Sequence, residues 1–105
     1  MCRIRILSSV EQTVVSDCLD CHCMNIWHNN LLLNFTKEEF LSFRKVINDL
    51  VFGDNSLPFP DDIDRIILRT PNRDISFTFA EFDFEQFKQA MDEAIYFSEI
   101  YSMMQ

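Results

Sequence analysis

Residues 17–30, DCLDCHCMNIWHNN, gather three of the four cysteines and both histidines of a 105-residue chain. Thiolates and imidazoles bind zinc, attack electrophiles and move protons. The stretch therefore poses three readings: a metal site, a redox centre, or a strand that carries soft side chains. The redox reading fails on environment. Reactive C-x-x-C pairs sit at a helix N-terminus or beside cations, which stabilise the thiolate. Cys18-Leu19-Asp20-Cys21 falls on or beside a predicted strand, and the adjacent Asp17 and Asp20 oppose thiol ionisation.

For zinc, Cys18 and Cys21 have the spacing of a knuckle, but no second C-x-x-C follows. The missing ligands would be Cys2 with Cys23 or His22. If SSVE (residues 8–11) turns the first two strands back on each other, Cys2 returns beside residues 17–18. Beside this stands the plainer reading of reduced cysteines in and around a sheet, since a buried cysteine behaves as a small hydrophobe. Neither implies catalysis, and zinc is the one cofactor left open.

Other chemistry finds little material. Gly53 is the single glycine, so neither a G-x-G-x-x-G loop nor a P-loop can be written. The carboxylates of DDID (61, 62 and 64) lack the spacing of a calcium loop and read as a solvated acidic turn. No G-x-S-x-G or H-E-x-x-H occurs, and the only histidines, His22 and His28, fall on one predicted strand. His28 reads as a hairpin-end residue. The expectation is a non-enzyme.

Two helix starts must position these groups. FTKEEF (35–40) supplies Thr36 as N-cap, Glu39 to complete a capping box, and Phe35 with Phe40 as a hydrophobic staple. FDFEQF (82–87) repeats the arrangement through Asp83, Gln86, Phe82 and Phe87. The first helix is predicted to run to about Phe52 and stop at Gly53. Its apolar face would be Phe40, Phe43, Val46, Ile47, Leu50 and Val51, with Lys45 and Asp49 opposite. The second is predicted from about Phe84 almost to the C-terminus.

A hairpin precedes each helix. Asn29-Asn30 would turn MNIWHNNLLLNF so that His28 faces Leu31, Ile26 faces Leu33 and Met24 faces Phe35. His22, Met24, Ile26 and His28 then share the core face, and Cys21, Cys23, Asn25 and Trp27 the other. Trp27 and Leu32 on that outer face would be covered by the N-terminal strands, or else belong to a binding surface. A second hairpin turns at Pro71-Asn72-Arg73-Asp74, and Ile75, Phe77 and Phe79 alternate with Ser76 and Thr78. CRIRIL and EQTVVS add two strands, and GDNSLPFPDD (53–62) links the halves in extended form. The prediction is one α+β domain over residues 1–105, order ββ-ββα-ββα. An antiparallel sheet of about six strands carries two helices on one face, and two ββα halves align at an offset of 47 residues.

The net charge is −8, and residues 53–105 hold eleven acids against four basic residues. Phosphate backbones would be repelled, so nucleic acid is not an expected partner. No apolar run is long enough to span a bilayer. MCRIRILSSVEQ is too short in its apolar stretch for a signal peptide. The expected compartment is the cytoplasm, where cysteines stay reduced.

The C-terminal helix carries the functional expectation. Phe84, Phe87, Met91, Ala94, Ser98 and Tyr101 line its core face, edged by Ala90 and Ile95. Tyr96, Ile100 and Met103 recur at i, i+4 and i+7 on a different face, flanked by Phe97 and Met104. Such a stripe predicts a homodimer, or packing on another protein, through this helix. The chain reads as a small acidic interaction module, with a zinc-stabilised adaptor as the alternative.

Cys2, Cys18, Cys21, Asn30, Thr36, Glu39, Phe40 and Phe43 stand in an order that resembles a small uncharacterised bacterial family, one of the domains of unknown function. The resemblance covers about the first half of the chain and implies no activity. Glycine is common in such families where this chain has His28 or Asn29.

Overall fold

The computed structural model describes residues 3–104. The fold is α+β, with two antiparallel sheets where the sequence suggested one. Strands β1 (Ile4–Val10), β2 (Thr13–Cys18), β3 (Met24–His28) and β4 (Leu31–Phe35) form a meander in sequence order. Helix α1 (Lys37–Asp49) follows, then the single turn α2 (Phe52–Asn55). A second sheet consists of β5 (Leu57–Pro58), β6 (Asp64–Arg69) and β7 (Ser76–Phe79), and helix α3 (Glu81–Met103) closes the chain.

The two hairpins form where turn chemistry places them. Asn29 takes φ 54°, and the β3–β4 register pairs His28 with Leu31, Ile26 with Leu33 and Met24 with Phe35. The β6–β7 pair buries Phe77 and Phe79 and leaves Ser76 and Thr78 exposed. The first turn lies later than SSVE. β1 continues to Val10, and Glu11, at φ 53°, begins the two-residue connection to Thr13. A bulge at Leu7 then lets Leu7 and Ser8 both face inward opposite Val15.

Thr36 caps α1 as expected. Its hydroxyl accepts from the Glu39 amide at 3.1 Å, and the Glu39 carboxylate accepts from the Thr36 amide at 2.8 Å. The helix ends earlier than predicted, at Asp49. Leu50 takes extended backbone, and Gly53 lies inside α2 rather than terminating α1. Phe40, Phe43 and Ile47 are buried, whereas Val46 and Val51 face solvent. The second cap also differs. α3 begins three residues before Phe84, with Ala80 as N-cap, and Asp83 lies inside its first turn without a capping bond. The offset of 47 residues drawn through the two caps therefore fails. The halves share an element order, not a sheet.

The sheets meet through side chains. Proline cannot donate to a ladder, and β5, ending at Pro58, is only two residues long. His28 stands edge-on to Phe77, Phe79 and Phe87, with ring centroids 5.2–5.8 Å apart. α3 lies across β1 and β2 and touches α1, β6 and β7. Its Phe84, Phe87, Ala90, Met91 and Ala94 are buried, with Ile95 and Tyr101 packed at the edge. One apolar cluster therefore spans both sheets and both long helices.

Candidate functional site

Cys18, Cys21 and Cys23 lie at the end of β2 and in the tight turn after it. The Cys18 amide donates to the Cys23 carbonyl and the His22 amide to the Cys18 carbonyl, both at 2.9 Å. Cys18 Sγ accepts from the amides of Asp20 and Cys21, each at 3.4 Å. His22 closes the turn at φ 62°. It is exposed and precedes β3, so it does not join Met24, Ile26 and His28 on the core face. Cys18 is buried, Cys23 half-buried and Cys21 exposed. The Cys23 thiol is held above the usual thiol range, first by its hydrogen bond with Cys21 and then by the Cys21 charge. That favours the protonated thiol near neutrality and not a redox nucleophile.

The neighbouring carboxylates do other work than the sequence suggested. Asp20 pairs with Arg3 at 2.9 Å, and its pKa is lowered by that hydrogen bond. Asp17 accepts from Arg5 at 2.7 and 3.1 Å, and the Arg5 guanidinium lies 4.3 Å over the Tyr101 ring. These pairs tie the start of β1 to the end of β2 and to the turn that follows it. The Arg5–Asp17 pair borders a polar cavity of about 120 Å³, whose walls include Cys18, His22, Lys37 and Ser98. Sequence reasoning missed this pair. Its signal was the alternation of the first two strands, since Arg5 lies opposite Asp17 in the register.

Of the proposed ligands, Cys18, Cys21, His22 and Cys23 share one turn, and Cys2 lies outside the described residues. Among the described residues, no three His, Cys, Asp or Glu side chains come together in a group able to hold a metal.

The α3 residues predicted for association sit on its outer side. Tyr96 is 56% exposed and Met103 79% exposed, while Ile100 is half-buried. Phe97 meets the Tyr96 ring edge-on at 5.3 Å. Alongside runs a groove of about 460 Å³ between α1 and α3, with Leu41, Ile95 and Met103 in its walls. Of the two readings of Trp27, cover by the N-terminal strands fails. β1 and β2 pair beside β3 in the same sheet, so they do not cover it, and it is 54% exposed beside Leu32.

The sequence pattern of a family of unknown function, DUF6686, matches residues 1–93. The chain belongs to that family. The DUF6686 match takes in the thiol turn, both sheets and the N-terminal half of α3, whereas Tyr96, Ile100 and Met103 lie beyond it. Neither a curated protein nor a solved structure matches the chain. No helix among the described residues is long and apolar enough to cross a membrane.

Proposed function

We propose that this DUF6686 chain is a small acidic, non-catalytic interaction module that pairs with a second copy through Tyr96, Ile100 and Met103. The exposed apolar side of α3 carries the reading. The core already occupies the opposite stripe, and Tyr96, Phe97, Met103 and Met104 remain exposed in the monomer. Aromatic and methionine side chains are enriched where surfaces associate, and the adjoining groove supplies a concave edge. A second copy, or another protein, suits this surface; nucleic acid and lipid do not, given the charge of −8. His28 serves the core and not catalysis in this reading, since it is hydrogen-bonded to the Thr13 hydroxyl at 2.8 Å inside an aromatic cage. A reducing, cytoplasmic compartment suits the thiols.

The test is mass in solution. Light scattering should give a dimer for the wild type and a shift towards monomer for Ile100→Asp. A wild type that stays monomeric at high concentration overturns the reading.

One observation favours a second reading, a zinc-stabilised adaptor. Two backbone amides point at Cys18 Sγ, an arrangement that supports negative charge on sulfur, as a metal-bound thiolate requires. Cys18 and Cys21 would be ligands, completed by Cys2 with Cys23 or His22. Metal analysis of protein purified without chelator separates the two. The interaction module holds less than one equivalent of zinc, and a stoichiometric content that resists dialysis establishes the adaptor.

A further inference from the structure

The turn between β2 and β3 brings two thiols onto one cavity. Cys21 and Cys23 are hydrogen-bonded to each other, and both line a cavity of about 350 Å³ with His22, Thr36, Lys37 and Glu38. His22, at φ 62°, occupies the left-handed region between them. A residue other than glycine persists there only where its surroundings hold it. Two backbone bonds do so here, Cys18 amide to Cys23 carbonyl and His22 amide to Cys18 carbonyl, both at 2.9 Å. Cys21 is exposed and Cys23 half-buried, so the pair is held in place and open to a ligand. Among the described residues, no third His, Cys, Asp or Glu joins them to complete a larger metal site. Tetrahedral zinc needs four donors. An ion satisfied by two soft donors does not.

We propose that Cys21 and Cys23 bind one soft monovalent cation, Cu(I), as a two-coordinate bis-thiolate. Thiolates select Cu(I), zinc and iron–sulfur clusters, and of these only Cu(I) is complete with two. On binding, two S–H bonds break and two Cu–S bonds form. Both protons leave to solvent, copper keeps its oxidation state, and the bis-thiolate carries one net negative charge. The hydrogen bond and charge of Cys21 hold the Cys23 thiol protonated. A cation between the two sulfurs reverses that balance, since a coordinated thiol is deprotonated outright. Lys37 compensates the remaining charge. It lines the same cavity, enters none of the ion pairs among the described residues, and is the first residue of α1, where the helix dipole also favours negative charge. The net charge of −8 draws cations towards the molecule as a whole. This site goes beyond the association reading and does not rest on it. It also differs from the zinc reading, because it uses neither Cys2 nor Cys18.

The full chain, reduced and stripped of metal, is titrated without oxygen with a cuprous acetonitrile complex. Binding is read as thiolate-to-copper absorbance in the ultraviolet and as retention against a chromogenic cuprous chelator. The wild type should take up one equivalent and hold it against the chelator. Cys21→Ser and Cys23→Ser should each lose that retention. Cys2→Ser and Cys18→Ser should keep it, whereas the zinc site needs both of those thiols. Cys21 is exposed, so Cys21→Ser should retain its far-ultraviolet circular dichroism and melting temperature, which separates loss of a ligand from loss of the fold. Ile100→Asp should leave copper retention in place, which separates failure here from failure of the α3 interface. Copper that the chelator removes from the wild type as readily as from Cys21→Ser overturns the inference. So does retention that Cys18→Ser abolishes while its circular dichroism is unchanged, an outcome that moves the metal to the zinc ligands.

Discussion

His28 stands where the two sheets meet, its ring edge-on to three phenylalanines and hydrogen-bonded to Thr13. Burial pushes its pKa down, and the charge of Asp83 opposes that shift only in part. An imidazole that titrates low in the folded state is protonated first in the unfolded chain as pH falls below about 6.5. Stability is therefore intact above that pH and declines as pH falls from there through the folded-state value. His28→Asn keeps a hydrogen-bonding group for Thr13 and removes the titration. Thermal melts between about pH 7.5 and pH 5 should show a shallower decline for the variant across the histidine range. An unchanged slope would mean that His28 titrates alike in the folded and unfolded states. The neighbouring thiol turn teaches the same dependence on context. Asp17 and Asp20 are acids beside cysteines in the sequence, yet in the fold Asp17 is taken up by Arg5 of β1 and Asp20 by Arg3 just before it. Composition marked the segment as chemically dense, but only strand register revealed which charges meet.

The two helix starts look alike in sequence and behave differently as elements. Thr36 and Glu39 satisfy each other's backbone donors, so Thr36→Ala should cost about 1 kcal/mol, within the usual range for a lost cap. Asp83 makes no capping bond. Asp83→Ala should cost less, about 0.3–1 kcal/mol, through the favourable placement of a carboxylate in the first turn. Urea titrations of the two variants check this order, and an equal loss would place the start of α3 at Asp83 after all. The difference explains what was legible. Local signals succeeded: Asn29-Asn30 set one hairpin, Thr36 started α1, and alternation exposed the buried faces of β7 and α3. FDFEQF misled because its Phe82 and Phe87 imitate a staple, while Phe82 is 66% exposed and the helix has already begun. The division into two sheets was not written locally. It depends on the two-residue β5 and on where β6 settles, both of which are decided by contacts distant in sequence. Nor could the sequence tell that β1 and β2 lie beside Trp27 rather than over it, since pairing and stacking share one alternation.

At the scale of the whole molecule, charge opposes association and apolar surface drives it. Eight net negative charges sit on a body with principal extents of 48 × 24 × 22 Å, so two copies in contact hold many carboxylates within tens of ångströms of each other. Salt screens that repulsion: the Debye length falls from about 10 Å at 0.1 M to about 3 Å at 1 M. It leaves burial of Tyr96 or Met103 untouched or slightly strengthened. Pairing through the α3 stripe should therefore tighten as sodium chloride rises across that range, with the weight-average mass at fixed protein concentration climbing towards the assembled state. An interface built on ion pairs would respond in the opposite direction, and a mass that falls with salt would exclude the α3 stripe as the main contact. Salt is a better variable than acid here. Lowering the pH also discharges the chain, but it protonates His28 and so weakens the fold that presents the α3 stripe.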